Sequence, residues 1–489
     1  MQPVDLTIEN GYVITMDERR RLLDPGTVVV DGTRIVDVGP AAELAGRYAA
    51  RTRIDATHKA VLPGLIDTHA HAGIAWFKDL MHLPGRKIRE LVDHVVFRAT
   101  GPEFWYAEGL LTGLERLRAG TTLGLFFCGG APRADRPEPF ERFMDGSVEV
   151  GVRSALSVGP ARPPWPRTFS WWEDGKRADY PVTMEDTFRV VGDLARRRQG
   201  DADGLVNVWL GASRLLGPSP FDVMFTPEHS RVAIEQARRL DRAAKEYDLR
   251  FHTHGYGGAI EFVQREVGLL GPHVCLAHAQ GLSDDEVRMF ADTGASIAYC
   301  PAAPRNYLFA PARCPVPECL SAGVTVAIAS DGPAPYGNLE LFSQMRSALT
   351  HQRYALRAPR ALTEGQALEM VTINAARAMG VEHDLGSLTA GKRADVITVD
   401  LRAPRLLPRH LVPLRVVSRA ESSDVQDVVV NGRLLMADRR VLSVDEGRVR
   451  AFAEAQEALA VERSGIAPFL ELPTSFWPTA PATAHEATK

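Results

Sequence analysis

The sequence predicts an α/β protein in which a (β/α)8 TIM-type barrel carries a small β-sandwich domain made from both chain ends. Three observations lead to this prediction. The 489 residues exceed the roughly 250 that one barrel requires. Apolar strand-like runs alternate with amphipathic helical stretches through the middle of the chain. Strand-like runs separated by turns occupy both ends.

The chain ends contain short strand-like runs that are punctuated by turn dipeptides such as Asp31-Gly32 and Asn431-Gly432. These runs are 4–14, 26–30, 34–38, 394–399 and 425–430. We therefore expect residues 1–62 and 391–450 to form one composite β-sandwich domain. Residues 451–489 are expected to form a C-terminal helix and tail.

The middle of the chain, residues 63–390, is expected to form the barrel. Helical patterns such as 228–247 and 284–292 separate its apolar runs, as in parallel sheets with crossover helices. Eight such runs suggest closure into a barrel. The runs are 65–69, 121–127, 152–158, 205–211, 249–253, 274–277, 296–299 and 324–329. Residues 160–181, rich in Pro and Trp, are expected to form an ordered loop over the barrel mouth.

Composition argues against several classes of partner. The formal net charge of −4 provides no basic surface for nucleic acid or for a membrane. The N-terminus lacks the pattern of a secretory signal, and no apolar stretch has the length of a bilayer span. The five cysteines are irregularly spaced without a CxxC pair, which favours free thiols in a reducing cytoplasm.

His69 and His71 lie two residues apart at the end of the first predicted barrel strand. The strand period of two puts both imidazoles on one face. Neutral imidazoles on one face are suitable ligands for a borderline metal such as zinc. A chance His-x-His pair is common, but barrel enzymes place their active sites at the carboxyl ends of strands. The pair is therefore a candidate metal site.

Three further predicted strands end in similar residues. His252 and His254 end the fifth, His278 the sixth, and Asp331 follows the eighth. Singly, each has a structural explanation: His252 as a hydrogen-bonded core residue, His278 as the neighbour of a helix cap, Asp331 as an N-cap. Their occurrence at consecutive strand ends of one barrel favours a shared site.

These motifs resemble the amidohydrolase superfamily, in the branch of cytosine, guanine and S-adenosylhomocysteine deaminases and triazine hydrolases. The resemblance spans nearly the whole chain. It rests on VLPGLIDTHAH at 61–71, HTH at 252–254, LAHAQGLS at 276–283, SDG at 330–332 and LGSLTAGKRAD at 385–395. It implies a barrel enzyme that hydrolyses its substrate with metal-activated water.

The resemblance also implies a role for each matched residue. His69, His71, His254 and Asp331 would hold one divalent metal ion, with Zn²⁺ expected first and Fe²⁺ or Mn²⁺ as alternatives. Asp331 would accept a proton from the attacking water and pass it to the leaving group. His278 would hydrogen-bond the attacked centre or the developing oxyanion.

Two positions refine this expectation. Two-metal relatives bridge their ions through a lysine or glutamate on the fourth strand, whereas residues 205–214 contain no Lys, Glu or Asp, so a single metal is favoured. Ring deaminases of this branch carry a proton-shuttling glutamate three residues after the strand-five histidine, where this chain has Gly257. Glu261 would face elsewhere if a helix starts near Gly258. The missing shuttle favours an amide, lactam, urea or similar carbon over ordinary ring deamination.

Aromatic and polar residues in the predicted mouth loops are candidates for substrate binding. They are Trp76, His82, Tyr256, Arg305, Asn306 and Tyr336.

The sequence thus predicts a metal-dependent hydrolase that cleaves a C–N bond of a small molecule, with a cyclic one favoured. An aminohydrolase or chlorohydrolase of an N-heterocycle is the alternative. A non-catalytic barrel scaffold is a further alternative, disfavoured because all five matched positions are intact. The resemblance implies a homo-oligomer, and neither nucleic acid nor a membrane is expected as a partner.

Overall fold

The computed structural model describes residues 1–75, 78, 88–128, 133–161, 163–218, 227–302, 313–332, 338–472 and 476–477. At its centre is an eight-stranded parallel sheet in which each strand pairs with the next barrel strand along the chain. In chain order, barrel strands 1 to 8 are Leu65–Ala72, Thr121–Cys128, Arg153–Val158, Val206–Gly211, Phe251–Tyr256, Val274–Gln280, Ser296–Tyr299 and Val326–Ile328. These strands confirm the predicted barrel.

The barrel closes at the level of the candidate site. A parallel bridge joins Ala70 of barrel strand 1 to Asp331, just beyond barrel strand 8. The backbone N–H of Asp331 donates to the carbonyl of His69 at 2.9 Å. The chain segments that complete the barrel are therefore the same segments that carry three of the predicted metal ligands, His69, His71 and Asp331.

Amphipathic helices cover the barrel, and their ends follow recognisable sequence signals. The predicted helix 284–292 is Asp284–Thr293, which begins at a capping box formed by Ser283 and Glu286. The predicted helix 228–247 is Pro227–Tyr247. The longer helices in the described part of the chain are Ile88–Arg98, Pro102–Arg118, Glu138–Val150, Met184–Arg198, Pro227–Tyr247, Ala259–Val267, Asp284–Thr293, Val316–Ser321, Leu341–Leu356, Glu364–Met370, Ile373–Met379, Val412–Arg419 and Glu446–Ser464.

A second, nine-stranded sheet, the terminal sheet, contains strands from both chain ends and confirms the predicted β structure there. Lys59–Pro63 joins the two ends, because it pairs in parallel with Gln2–Ile14 and antiparallel with Val396–Asp400. The remaining strands are Leu22–Asp31, Arg34–Pro40, Tyr48–Asp55, Val425–Val430, Arg433–Ala437 and Arg440–Val441. The division of the chain into 1–62 with 391–450, 63–390 and 451–489 stays a prediction.

Apolar side chains from both chain ends share one core within the terminal sheet. Ile8 and Val28 of the N-terminal strands belong to the same buried cluster as Val396 and Val429. Burial of apolar surface is the main driving force for such association. Neither chain end has a complete core without the other.

The segment 160–181 differs from the expected loop. It contains an antiparallel hairpin of Arg167–Glu173 and Lys176–Val182. Asp174 and Gly175 form the turn, and both have positive φ, 49° and 73°. An Asp-Gly pair is a strong signal for a hairpin turn. Here it is a better guide to the structure than the Pro and Trp content, from which a loop was expected.

No helix in the described ranges combines the length and apolar character that a bilayer span requires.

Candidate active site

The four predicted ligand side chains meet at the carboxyl end of the barrel. Asp331 Oδ1 lies 3.4 Å from His69 Nε2 and 3.4 Å from His71 Nε2. His254 Nε2 lies 3.2 Å from His71 Nε2. All four side chains are buried. Residues separated by more than two hundred positions in the sequence thus present their donor atoms to one point.

The spacing of these atoms fits a metal site. Tetrahedral zinc with bonds of about 2.0–2.1 Å sets its ligand atoms about 3.3 Å apart. His69 Nε2 is buried and, among the described residues, has no hydrogen-bond partner. A buried nitrogen without a partner costs free energy unless something binds it. The donor set of three imidazoles and one carboxylate therefore suits a divalent cation.

Hydrogen bonding fixes the orientation of His254. Its Nδ1 lies 2.7 Å from the carbonyl oxygen of Ser213, which can only accept. His254 Nδ1 must therefore donate, and its Nε2 keeps a lone pair for the shared point. A partner on the far ring nitrogen is the usual arrangement for a histidine that binds a metal.

Electrostatics favour the charge states that a metal requires. Burial lowers the pKa of His69 and His254, so both imidazoles are neutral near pH 7. Burial would raise the pKa of Asp331, but the favourable electrostatic effect of the adjacent His69, His71 and His278 rings outweighs it and leaves that pKa well below its usual value. Neutral imidazoles beside an ionised carboxylate form a competent ligand set.

His278 lies beside these residues, as the sequence suggested. Its ring stacks on that of His254, with centroids 5.2 Å apart and planes 16° from parallel. His278, Ala279 and Asp331 have positive φ of 73°, 50° and 66°. Non-glycine residues rarely adopt this conformation, and it clusters at functional sites where the surroundings hold it.

Tyr256 is the one predicted substrate contact within the described residues. It is buried, and its ring stacks on His278 at 5.5 Å and 8°. Its contact with a substrate stays a prediction. The other candidates, Trp76, His82, Arg305, Asn306 and Tyr336, lie outside the described residues.

Gly257 lies against backbone. A Cβ at this position would be 1.9 Å from the carbonyl oxygen of Gly281, so the backbone here leaves no room for a side chain. The N–H of Gly257 donates to the carbonyl of Gln280 at 2.9 Å. Glu261 forms an ion pair with Arg265 at 2.7 Å on its own helix. The glutamate expected of ring deaminases is therefore absent and its position is closed.

A buried ion pair that was not predicted from the sequence lies next to the site. Asp67 Oδ2 accepts from Arg116 Nη2 at 2.7 Å, and Asp67 Oδ1 accepts from the backbone N–H of Ser330 at 3.0 Å. The guanidinium reaches Asp67 over Gly124, where a Cβ would overlap it. Asp67 lies two residues before His69 on the same strand face, which was the available signal. The pair links the strand of His69 to the residue preceding Asp331.

A buried carboxyl holds the chain that follows His71. Glu108 accepts from the backbone N–H groups of Gly73 and Ala75 at 2.9 and 3.2 Å. Burial raises the pKa of Glu108 to about 8, against the lowering effect of these two hydrogen bonds. This helix residue therefore ties the exit of barrel strand 1 to helix Pro102–Arg118.

The chain is similar to known deaminases over nearly its whole length. It is 30% identical to the 5'-deoxyadenosine deaminase of Methanosarcina mazei over 470 residues, 93% of this chain and 97% of that protein. It is also 30% identical to the 5-methylthioadenosine/S-adenosylhomocysteine deaminase of Desulforudis audaxviator, over 94% of this chain and 99% of that protein. These relatives are enzymes, which weighs against the scaffold alternative.

Solved structures share the fold. An adenosine deaminase from Xanthomonas campestris with bound zinc matches with a TM-score of 0.77 and 23% identity, over 94% of this chain and 99% of that chain. A mutant atrazine chlorohydrolase from Arthrobacter aurescens TC1, complexed with zinc and atraton, matches with a TM-score of 0.77 and 24% identity, over 93% and 100%. The sequence profile of the Amidohydrolase family matches residues 60–435. The chain therefore belongs to the amidohydrolase family and is a metal-dependent hydrolase of carbon–nitrogen bonds.

Proposed function

We propose that His69, His71, His254 and Asp331 hold one divalent metal ion and that the enzyme hydrolyses an amide, lactam, urea or similar carbon in a small substrate, with cyclic substrates favoured. Donor atoms 3.2 to 3.4 Å apart support the ligand set. Imidazole with carboxylate favours Zn²⁺, with Fe²⁺ or Mn²⁺ as alternatives. Residues 205–214 contain no Lys, Glu or Asp that would bridge a second ion, which supports a single metal.

The proposed chemistry assigns one task to each nearby group. When bound by these four residues, a divalent ion would supply Lewis acidity to the site. The Asp331 carboxylate accepts a proton as water attacks the carbon, and returns it to the nitrogen that leaves. His278, stacked on His254, donates a hydrogen bond to the oxygen that gains negative charge.

The lack of space for a side chain at Gly257 favours amide-type substrates over ring deamination. Hydrolysis of an amide-type carbon requires one proton on the departing nitrogen, and Asp331 supplies it. Deamination of a ring requires a further proton on a ring nitrogen. The backbone of Gly281, 1.9 Å from a Cβ at Gly257, leaves no place there for the acid that would provide it.

The second candidate is deamination or dechlorination of an N-heterocycle. The names of the relatives favour it, since proteins 30% identical over more than nine-tenths of this chain are deaminases of adenosine derivatives. This alternative requires a proton donor from another part of the site.

A substrate panel distinguishes the two candidates. The zinc-loaded enzyme is incubated with lactams, cyclic ureas and amides, and separately with 5'-deoxyadenosine, other aminoheterocycles and chlorotriazines. Mass spectrometry follows ring opening, while ammonia and chloride are assayed directly. The proposal predicts ring opening or amide cleavage that is absent in Asp331→Asn. Consistent ammonia or chloride release from the heterocycles, without ring opening, would reverse the order of the candidates.

We further propose that the enzyme acts in the cytoplasm on a free small molecule and assembles as a homo-oligomer. The four cysteines with described side chains, Cys275, Cys300, Cys314 and Cys319, are free and buried, which suits a reducing compartment. Size-exclusion chromatography with light scattering would test the assembly, and a monomer at micromolar concentration would contradict it.

A further inference from the structure

His252 lies behind His69, outside the set of atoms that face the shared point. It is fully buried on barrel strand 5, two residues before His254. Its Nε2 is 2.8 Å from His69 Nδ1, and its Nδ1 is 2.8 Å from the carbonyl oxygen of Cys275. These two contacts form a continuous path, the His69–His252–Cys275 relay, from the site to the backbone.

The end of the relay determines where each proton lies. The Cys275 carbonyl can only accept, so His252 Nδ1 carries a hydrogen. The His252 ring is fully buried, and neither of its two ring contacts is a carboxylate that could balance a positive charge, so Nδ1 carries its one hydrogen and Nε2 can only accept. His69 Nδ1 must then donate. The lone pair of His69 is therefore on Nε2, the buried atom that has no hydrogen-bond partner among the described residues.

Packing holds the His252 ring in the orientation in which its Nε2 faces His69 Nδ1. The ring centroid of Phe127 lies 5.4 Å from that of His252. The Trp209 ring packs edge-on against His252, with centroids 6.4 Å apart and an angle of 81° between the ring planes. Ser157 Oγ donates to the backbone carbonyl of His252 at 2.9 Å. A ring confined in this way cannot easily turn to present its other nitrogen to His69.

We propose that His252 is a positioning residue that selects the tautomer and the orientation of His69 for metal binding. His254 reaches a backbone carbonyl directly, at Ser213, whereas His69 reaches one through His252. A partner on the far nitrogen both orients a metal-binding histidine and raises its basicity. This inference rests on the proposed metal site.

The test compares two substitutions at one position. Glutamine at 252 keeps an oxygen near the place of Nε2 and can accept from His69, whereas leucine has similar bulk and no acceptor. Trp209→Phe is the matched control, because it alters packing on His252 without removing a hydrogen bond. Zinc affinity of each protein is measured by competition with a chelator, and thermal unfolding of each metal-free form is recorded in parallel.

We expect His252→Leu to weaken zinc binding about 10- to 100-fold, equivalent to about 1.4–2.7 kcal/mol. His252→Gln and Trp209→Phe should stay within about threefold of wild type, because each retains an acceptor for His69. Affinity of His252→Leu within that same range would overturn the inference. So would equal weakening by Gln and Leu, since loss of the acceptor would then not be the cause.

A second measurement does not depend on any variant folding. Nitrogen NMR of histidine in the metal-free wild-type protein should show His69 as the Nδ1–H tautomer, and the Nε2–H tautomer would overturn the inference. His69→Ala separates the two proposals. Wild-type protein that binds no zinc, or unchanged binding in His69→Ala, contradicts the metal site itself. Normal loss in His69→Ala with no effect of His252→Leu contradicts only the role of His252.

Discussion

Two buried polar clusters, one at each end of the barrel, differ in how completely their atoms are paired. At the amino end, Arg153 donates to both Asp395 oxygens at 3.1 Å and to Asn431 Oδ1 at 3.0 Å. The backbone N–H of Asn431 in turn donates to Asp395 at 2.9 Å. At the carboxyl end, Asp331 Oδ1 lies 3.4 Å from the Nε2 atoms of His69 and His71, and His71 Nε2 lies 3.2 Å from His254 Nε2. His69 Nε2 has no hydrogen-bond partner among the described residues.

The difference in pairing distinguishes a cluster that stabilises the fold from one that can bind a ligand. Both clusters are desolvated, so burial of charge does not by itself identify a reactive site. Complete pairing at Arg153 and Asp395 ties the barrel to the terminal sheet. The carboxyl-end cluster is tied down from behind, through Ser213 and His252, while its lone pairs face inward. The carboxyl-end cluster is therefore held in place like a structural cluster, but its inward-facing nitrogen and oxygen atoms remain available to a cation.

The largest expected effect is loss of catalysis at the carboxyl end. His69→Ala or Asp331→Asn should abolish turnover, with a fall of at least about 10²–10⁴-fold for Asp331→Asn, since that change removes the proton acceptor. Circular dichroism should show the wild-type fold, because these side chains face the mouth of the barrel. Kinetics on the best substrate of the panel measure the loss, and full activity in either variant would remove the assignment.

The amino-end cluster should give the opposite result. Arg153→Met leaves Asp395 buried without its cation, and a buried pair broken in this way typically costs about 3–5 kcal/mol of unfolding free energy. Metal content per chain should stay at the wild-type value. Urea denaturation and elemental analysis measure the two quantities. Metal loss without destabilisation would show that the clusters are not functionally distinct.

Gly257 tests how tightly the wall of the site is packed. Gly257→Ala places a methyl group against the carbonyl of Gly281 and should cost about 1–3 kcal/mol, as overpacking usually does. Gly365→Ala is the matched control, because the nearest atom to its Cβ is 4.0 Å away and helix propensity favours alanine. Equal unfolding free energies for the two variants would mean that the position can accept a side chain.

The smallest expected effect per residue concerns pH. His69, His252 and His254 have pKa values depressed by burial, so the unfolded chain binds their protons first as pH falls below about 6.5. Their contribution to stability is complete above that pH. In the metal-free protein each should cost up to about 1.4 kcal/mol per pH unit below it.

Urea denaturation of the metal-free protein between pH 7.5 and 5 measures this slope. His252→Gln should remove about a third of it, because one of the three depressed groups is gone. A slope that does not change in this variant would mean that His252 is not held neutral by its surroundings.

Much of the fold and of the candidate site followed from local patterns. Short apolar runs separated by amphipathic helices predicted the barrel strands, and the period of two put His69 and His71 on one face. Strands such as Tyr48–Asp55 were missed because charged and small residues obscure any alternation there. The hairpin turn at Asp174-Gly175 was visible in the sequence and was overlooked.

Other features depended on contacts between distant parts of the chain. Arg116 reaches Asp67 only because Gly124 leaves space for the guanidinium, which no local pattern indicates. His252 was open to interpretation as a core histidine, and it is buried in the core. Its hydrogen bond to His69, 183 positions away, gives it a second role.

The central claim is that three imidazoles and one carboxylate share one cation. Anomalous diffraction from crystals of the zinc-loaded protein, recorded at the zinc edge, tests it most directly. We predict one strong peak per chain, within about 2.0–2.2 Å of the Nε2 atoms of His69, His71 and His254 and of an Asp331 oxygen. A peak elsewhere, a second peak of equal height, or ligand groups too far apart to reach one point would contradict the claim.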